Sequence, residues 1–248
     1  MTEEESEKKI DFKYEYEILS DDYPIYDLSF KLIVIGDSGV GKSSLTNKAV
    51  KDVFSNNFLP TVGFEFFSFM VKINDKILKL HIWDTCGQEL YRSLVANFYK
   101  NCSLAILVYA IDDKESFKNL SLWLKDLKLN SNPDAKMILI GNKCDLEDER
   151  KISFEEGDKF SKDFDIEFFS ETSAKTGFNA KEIFLKAAMF LYDDYILYKK
   201  NNDNERESNI NMSNLENLNE SNIIVIDKNN HKDTIKKSLI KKKIGVDY

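Results

Sequence analysis

The order of apolar and polar positions predicts a chain in which strands and helices alternate. Phe30–Gly36 (FKLIVIG) reads as a buried strand, and it runs into a glycine-rich turn ahead of a helix over Lys42 to Lys51. Phe64–Ile73 and Ile77–Trp83 are two apolar-rich runs separated by Asn74-Asp75-Lys76, the composition of a hairpin turn. Leu104–Ala110 (LAILVYA) is continuously apolar, as a strand covered on both faces must be. From Glu115 to Leu129 the period becomes helical, with Phe117, Leu120, Trp123, Leu124 and Leu127 on one side. Met137–Gly141 predicts another strand, Ser153–Phe164 a helix, Glu167–Glu171 a strand, and Ala180 to about Tyr198 a last helix. Such alternation implies an α/β fold: a mostly parallel six-stranded sheet with one antiparallel edge strand and helices on both faces.

Two flanks depart from this pattern. Residues 1–27 carry a net charge of −7, residues 28–198 one of −3, and residues 199–248 one of +2. The expected organisation is therefore an acidic N-terminal extension (1–27), one domain (28–198) and an Asn/Lys-rich tail (199–248). Within the extension, Ile10–Ile18 alternates apolar and charged residues; it reads either as a flexible acidic arm, the favoured reading, or as a strand along a sheet edge or groove. The tail holds 11 Asn in 50 residues and little apolar content outside Ile223–Ile226, so it buries too little to offset its ordering entropy. Disorder is expected there, with a short strand or helix around 223–226.

Composition narrows the class further. The near-balanced middle segment has no basic stripe interleaved with aromatics, which argues against nucleic-acid binding. Three cysteines, Cys86, Cys102 and Cys144, are a sparse, odd set that suits a reducing compartment. No apolar run approaches the ~20 residues of a membrane span, and the acidic first residues do not resemble a secretory signal. A cytoplasmic, soluble monomer is the expectation.

The chemistry begins at Gly36-Asp37-Ser38-Gly39-Val40-Gly41-Lys42-Ser43, which fits G-x-x-x-x-G-K-[ST] directly after a predicted strand and before a predicted helix. Such a loop presents successive backbone N–H groups to phosphate, and a Cβ at the turn would block the approach. Lys42 is placed to reach the β- and γ-phosphates, and the Ser43 hydroxyl to ligate Mg²⁺. Asn142-Lys143-Cys144-Asp145 follows a predicted strand, at the end where open α/β sheets bind ligands. A carboxylate there can accept from both N1–H and the exocyclic amine of guanine, a pair adenine lacks. Ser173-Ala174-Lys175 follows the next strand.

With these residues in place, the segment from about Tyr23 to Leu197 resembles the Ras-like small GTPases, and among them the Rab group. The resemblance implies the P-loop NTPase fold, GTP and GDP as ligands and Mg²⁺ as cofactor. It implies guanine reading by Asn142, Lys143, Asp145 and Ser173, Ala174, Lys175, with Asp37, Ser38, Gly39, Val40, Gly41, Lys42, Ser43 and Ser44 around the phosphates. Asp84-Thr85-Cys86-Gly87-Gln88 looks like the family's D-T-x-G-Q segment: Asp84 in the Mg²⁺ shell, Gly87 on the γ-phosphate, and Gln88 orienting the attacking water. Thr61 resembles the switch threonine that completes the Mg²⁺ shell, although a strand-start residue reads the same. Phe54 stands where the family places a ring over the guanine, or is a core aromatic. TVGFEF, KLHIWDT and the aromatics around Phe98-Tyr99 carry the Rab likeness.

The implied function is a binary switch in vesicle traffic. Segments 54–66 and 84–99 would be ordered by GTP and read by effectors, exchange factors and GTPase-activating proteins. No arginine finger stands in an obvious place, so slow intrinsic hydrolysis is expected. Phe64, Phe66, Trp83, Phe98 and Tyr99 form the expected effector face, or belong to the core. The resemblance fails at the C-terminus, where Rabs carry prenylated cysteines and the last cysteine here is Cys144. Five lysines in Lys236–Lys243 could favour an anionic membrane surface. The alternative reading is a guanine-nucleotide-binding scaffold with negligible turnover and no lipid anchor.

Overall fold

The computed structural model describes residues 10–55, 61, 63–86, 98–208 and 224–225. In chain order the elements are β1 (Tyr16–Leu19), β2 (Leu28–Ile35), α1 (Lys42–Lys51), β3 (Phe64–Ile73), β4 (Lys76–Thr85) and β5 (Leu104–Ala110). They continue with α2 (Lys114–Asn130), β6 (Lys136–Asn142), α3 (Phe154–Asp163), β7 (Phe168–Thr172), α4 (Ala180–Ser208) and β8 (Ile224–Val225). The strand order is β1-β3-β4-β2-β5-β6-β7, with β8 pairing β2 off this path. β2 runs parallel to β4 and β5, and β5, β6 and β7 are mutually parallel. β3 returns antiparallel to β4 through the Asn74-Asp75 turn, where Asn74 takes a positive φ of 52°.

The period of two along the central strands sorts the core into two halves. Leu32 and Val34 of β2, with Ile106 and Val108 of β5, face α1 and α4 through Leu45, Ala49, Ile183, Phe184 and Ala187. Ile33 and Ile35, with Leu107 and Tyr109, face α2 through Leu120, Trp123, Leu124 and Leu127. All seven residues of β5 are buried, which is why its sequence has no charged break. α2 starts where Asp113 accepts from the Glu115 and Ser116 N–H groups, and α3 opens on a Ser153/Glu156 capping box.

Both flanks differ from their sequence reading. The last helix does not stop near Tyr198 but runs to Ser208, so the expected disordered tail from Lys199 begins with ten helical residues. No Gly or Pro interrupts 180–208, and a helix already anchored by Leu191, Tyr192 and Tyr195 has no local reason to end. Ile224–Val225 is a short strand antiparallel to β2 at Leu28 and Ser29.

The acidic arm is ordered from Ile10, against the flexible reading. β1 pairs antiparallel with the end of β3, Tyr16 opposite Ile73 and Leu19 opposite Met70, so the arm adds a strand outside the antiparallel one. The first half of the arm packs through side chains instead. Ile10 is buried, and Phe12 and Tyr14 rest on the same core. Lys13 Nζ lies 2.8 Å from Asp193 Oδ1, which also accepts from the Tyr14 hydroxyl. The Tyr14 ring meets Tyr192 edge-on at 5.1 Å. Deleting residues 1–19 is expected to lower stability by about 2–4 kcal/mol through the lost apolar burial and strand bonds. Urea unfolding of the GDP-bound protein measures this; an unchanged midpoint would show that the arm contributes nothing to stability.

Candidate functional site

The turn after β2 is fixed by side chains from three directions. Lys42 Nζ folds back to donate to the carbonyls of Gly36 (2.9 Å) and Asp37 (2.7 Å). Asn142 Nδ2, at the end of β6, donates to Val40 O at 2.8 Å. Gly41 is the residue this approach demands: its φ is +93°, and a Cβ would sit 2.4 Å from Asn142 Nδ2. Gly41 is the N-cap of α1, which has no side-chain cap and no acid in its first turn. Its first N–H groups are thus left without a capping side chain, as an anion site requires. Lys42 is 5% exposed, and burial lowers its pKa to about 8 against the opposing pull of Asp84 and Asp37. A phosphate in the loop would restore the ammonium's preference for its charged form.

Three oxygen-bearing side chains meet beside the lysine, those of Ser43, Thr61 and Asp84. Ser43 Oγ lies 2.7 Å from Thr61 Oγ1 and donates to Asp84 Oδ2. Asp84 is fully buried, and its Oδ1 has no hydrogen-bond partner among the described residues. Burial pushes its carboxyl up to about 6, against the Ser43 hydrogen bond and the Lys42 charge. An orphaned carboxylate oxygen beside two hydroxyls is a hard, all-oxygen donor set of the kind Mg²⁺ takes. The residues therefore fit that ion. Their convergence needs three distant segments: the first turn of α1, the connection into β3, and the end of β4, which pairs with β2 from Leu28 to Val34.

The second cluster lies where β6 and β7 end side by side, Asn142 opposite Thr172. Asn142 Oδ1 accepts from Thr172 Oγ1 (3.0 Å) and from the Ala174 N–H (3.4 Å), while its amide nitrogen holds the phosphate loop. Its side chain thus ties the two loops together. Asp145 Oδ1 accepts from Ser173 Oγ at 2.6 Å, and Lys175 Nζ stands 3.7 Å from Asp145 Oδ2. Lys143, at a positive φ of 66°, pairs with Asp112 at 3.3 Å. Ser173 Oγ also accepts from the Thr176 N–H, which shapes the loop that carries Ala174 and Lys175.

The remaining expected residues divide. Ser44 is half-buried in the first turn of α1, Val40 is buried, and Ser38 and Gly39 are exposed at the tip of the loop. Phe54 is half-buried and packs against the hydrophobic core. Gly87 and Gln88 lie outside the described residues, as do most of the 84–99 segment and Lys236–Lys243. Of the five aromatics, Tyr99 is core, 1% exposed, which removes it from the effector face. Phe64 and Phe66 are 47% and 50% exposed, and Phe64, Trp83 and Phe98 form a ring cluster with centroids 4.7–5.3 Å apart. Cys86 is buried, and its N–H donates to Gly63 O. The sequence reading missed Asn119 and Trp123 of α2, which donate to the Asp37 carboxylate, and Thr172, which fixes Asn142. A polar residue four positions before a tryptophan on a core-facing helix was the available signal for the first pair.

A glycine-rich loop opening an uncapped helix, a buried lysine, and an oxygen triad define a phosphate-loop nucleotide-binding protein. Comparison with known proteins places it more closely. The Ras family model matches residues 31–192. Rab-13 of Bos taurus is 42% identical over 163 residues, which cover 66% of this chain and 80% of that protein. Rab-11B of Dictyostelium discoideum is 41% identical over 192 residues, covering 75% and 86%. Rab-10 of Diplobatis ommata is 40% identical, covering 66% and 81%. The chain belongs to the Ras family and is a Rab-like small GTPase of membrane traffic, which binds GTP and GDP with Mg²⁺ and hydrolyses GTP. Effectors and regulators engage such a protein through its switch segments. Among the described residues no helix is long and apolar enough to cross a membrane.

Proposed function

We propose that this GTPase reads the γ-phosphate through the Ser43–Thr61–Asp84 cluster and passes the result to the Phe64–Trp83–Phe98 surface. The observation that carries the reading is the reach of Thr61 to Ser43 at 2.7 Å, because it joins the segment before β3 to the phosphate loop. Ser43, Thr61 and Asp84 would hold Mg²⁺, which when bound neutralises phosphate charge. Lys42 and the N–H groups of Gly39 to Ser44 face the β- and γ-phosphates. Phe64, three residues beyond Thr61, contacts Trp83 and Phe98, so release of Thr61 changes the packing of exposed rings. An effector that docks on those rings reads the nucleotide without touching it.

Asp145, with Ser173 and Lys175 at its carboxylate, takes the guanine edge, and Phe54 flanks the base. A preference of at least about a hundredfold for GTP over ATP is expected, since adenine turns an acceptor N1 toward the Asp145 carboxylate where guanine offers an N–H donor pair. Competition binding measures this; comparable affinities would refute the base assignment. Gln88 orients the attacking water, with Gly87 on the γ-phosphate. Single-turnover GTP hydrolysis should fall at least tenfold in Gln88→Leu when an activating protein is present. Equal, slow rates in both proteins would refute the role of Gln88 and favour a scaffold that binds without turnover. The protein acts as a cytoplasmic monomer whose Lys236–Lys243 run gives weak contact with anionic endomembranes. Fractionation of cells expressing the full chain tests that contact, and a wholly cytosolic protein in both nucleotide states would exclude it.

A further inference from the structure

An acidic side chain inside a loop built for phosphate calls for an explanation. Asp37 directly follows Gly36, and its carbonyl accepts from Lys42 Nζ at 2.7 Å, so its backbone belongs to the cradle. A carboxylate free to turn toward bound phosphates would repel them at close range. Here it is turned toward α2, where each oxygen has its own donor. Oδ2 accepts from Asn119 Nδ2 and Oδ1 from Trp123 Nε1, both at 2.7 Å. The two donors stand four residues apart and share one face of α2. Trp123 is 1% exposed and packed among Leu120, Leu124 and Leu127, so its N–H is fixed in direction by the core. Hydrogen bonds to an ionised acceptor are the strong ones, and two of them hold the group in place.

We propose that Asn119 and Trp123 are positioning residues that hold the Asp37 carboxylate away from the nucleotide's phosphates, which couples α2 to nucleotide retention. The inference rests on the phosphate-loop reading of the site. It differs from a plain structural clamp in one respect: the donors matter because the acid is there. Removing the donors frees a negative charge beside the phosphates, whereas Asp37→Asn removes the charge and keeps one accepting oxygen for the two donors. Loss of the donors should therefore be worse than loss of the acid, and removing the acid should rescue the donor variant. The penalty should also grow with the number of phosphates.

The test compares the full chain carrying Asn119→Ala with Trp123→Phe, Asp37→Asn, and the triple combination, by equilibrium binding of GMP, GDP and GTP at low and high salt. Phenylalanine keeps most of the ring packing and deletes the N–H. The donor variant is expected to bind GTP on the order of tenfold more weakly, with a smaller loss for GDP and little for GMP. High salt should shrink the loss, and adding Asp37→Asn should recover most of it. Additive losses without rescue, or an equal loss for GMP and GTP, would overturn the proposal. Should the tryptophan variant fail to fold, Asn119→Ala with and without Asp37→Asn carries the same comparison at about threefold. Wild-type protein without affinity for GDP would overturn the phosphate-loop reading and the proposal with it. Wild-type binding with additive variants overturns the proposal alone.

Discussion

Gly36→Ala is expected to give a protein destabilised by about 3 kcal/mol or more that no longer retains nucleotide. Gly36 has a φ of +143°, and a Cβ built there lies 2.1 Å from the Val108 carbonyl oxygen and 3.1 Å from its carbonyl carbon. Both costs act together, since the conformation disfavours any side chain and the space is already filled by backbone. Val108 cannot yield. It is fully buried in β5 and paired with Ile140 of β6, so moving its carbonyl means breaking the centre of the sheet. The alternative, moving residue 36, pulls the Gly36 carbonyl away from Lys42 Nζ and opens the loop. Guanidinium unfolding, together with the release rate of a fluorescent GDP, measures both effects. A variant with the wild-type midpoint and wild-type release would refute the close approach of β5 to the loop.

Asn142→Ala should be the most damaging change at the other end of the site. The side chain makes three hydrogen bonds at once, to the Val40 carbonyl, the Thr172 hydroxyl and the Ala174 N–H. Truncation strands buried groups on both sides, Val40 and Thr172 being fully buried, and each uncompensated partner costs about 1–3 kcal/mol. A total of about 3–5 kcal/mol is expected, and GDP release should accelerate at least about a hundredfold, because the phosphate loop and the 173–175 loop lose their shared tie. Asn142→Asp should be nearly as harmful: it keeps the accepting oxygens, cannot donate to Val40 and brings a charge into a buried site. If Asn142→Ala releases GDP at the wild-type rate, the tie is not what joins the two loops. The same residue was expected to read the base, together with Asp145. In the structure the Asn142 side chain ties the two loops together, and under the proposed function Asp145 takes the guanine edge.

The elements were legible because each carries its period in one dimension. Leu104–Ala110 and Lys42–Lys51 fall where apolar continuity and the glycine turn predicted them, and helix α2 extends its predicted span by one residue at either end. The phosphate loop was legible for a different reason. Its glycines, lysine and serine are contiguous, and their chemistry needs only the strand before and the helix after. The ends of elements were less so. Helix α4 passes Tyr198 because nothing in NNDNERES, which holds no Gly or Pro, stops an anchored helix. The arm at 10–19 has the alternation of a strand, yet only Tyr16–Leu19 pairs. The rest is fixed by Asp193 and Tyr192, 180 residues away in sequence for Lys13 to Asp193.

Local order thus settled which segments are strands and helices, and which stretch can cradle phosphate. Partnership between remote residues was decided by the sheet. Parallel pairing of β2 with β4 brings Asp84 to Ser43, and pairing of β6 with β7 brings Thr172 to Asn142. Packing of α2 on the central strands brings Trp123 to Asp37. None of these contacts has a period or a motif, because each depends on how far two chain segments travel before the hydrogen-bonded register sets them side by side. Even the division of the aromatics followed from this. Phe98 and Tyr99 are neighbours in sequence, and only the burial of Tyr99 against the α2 side of the sheet leaves Phe98 in the ring cluster with Phe64 and Trp83.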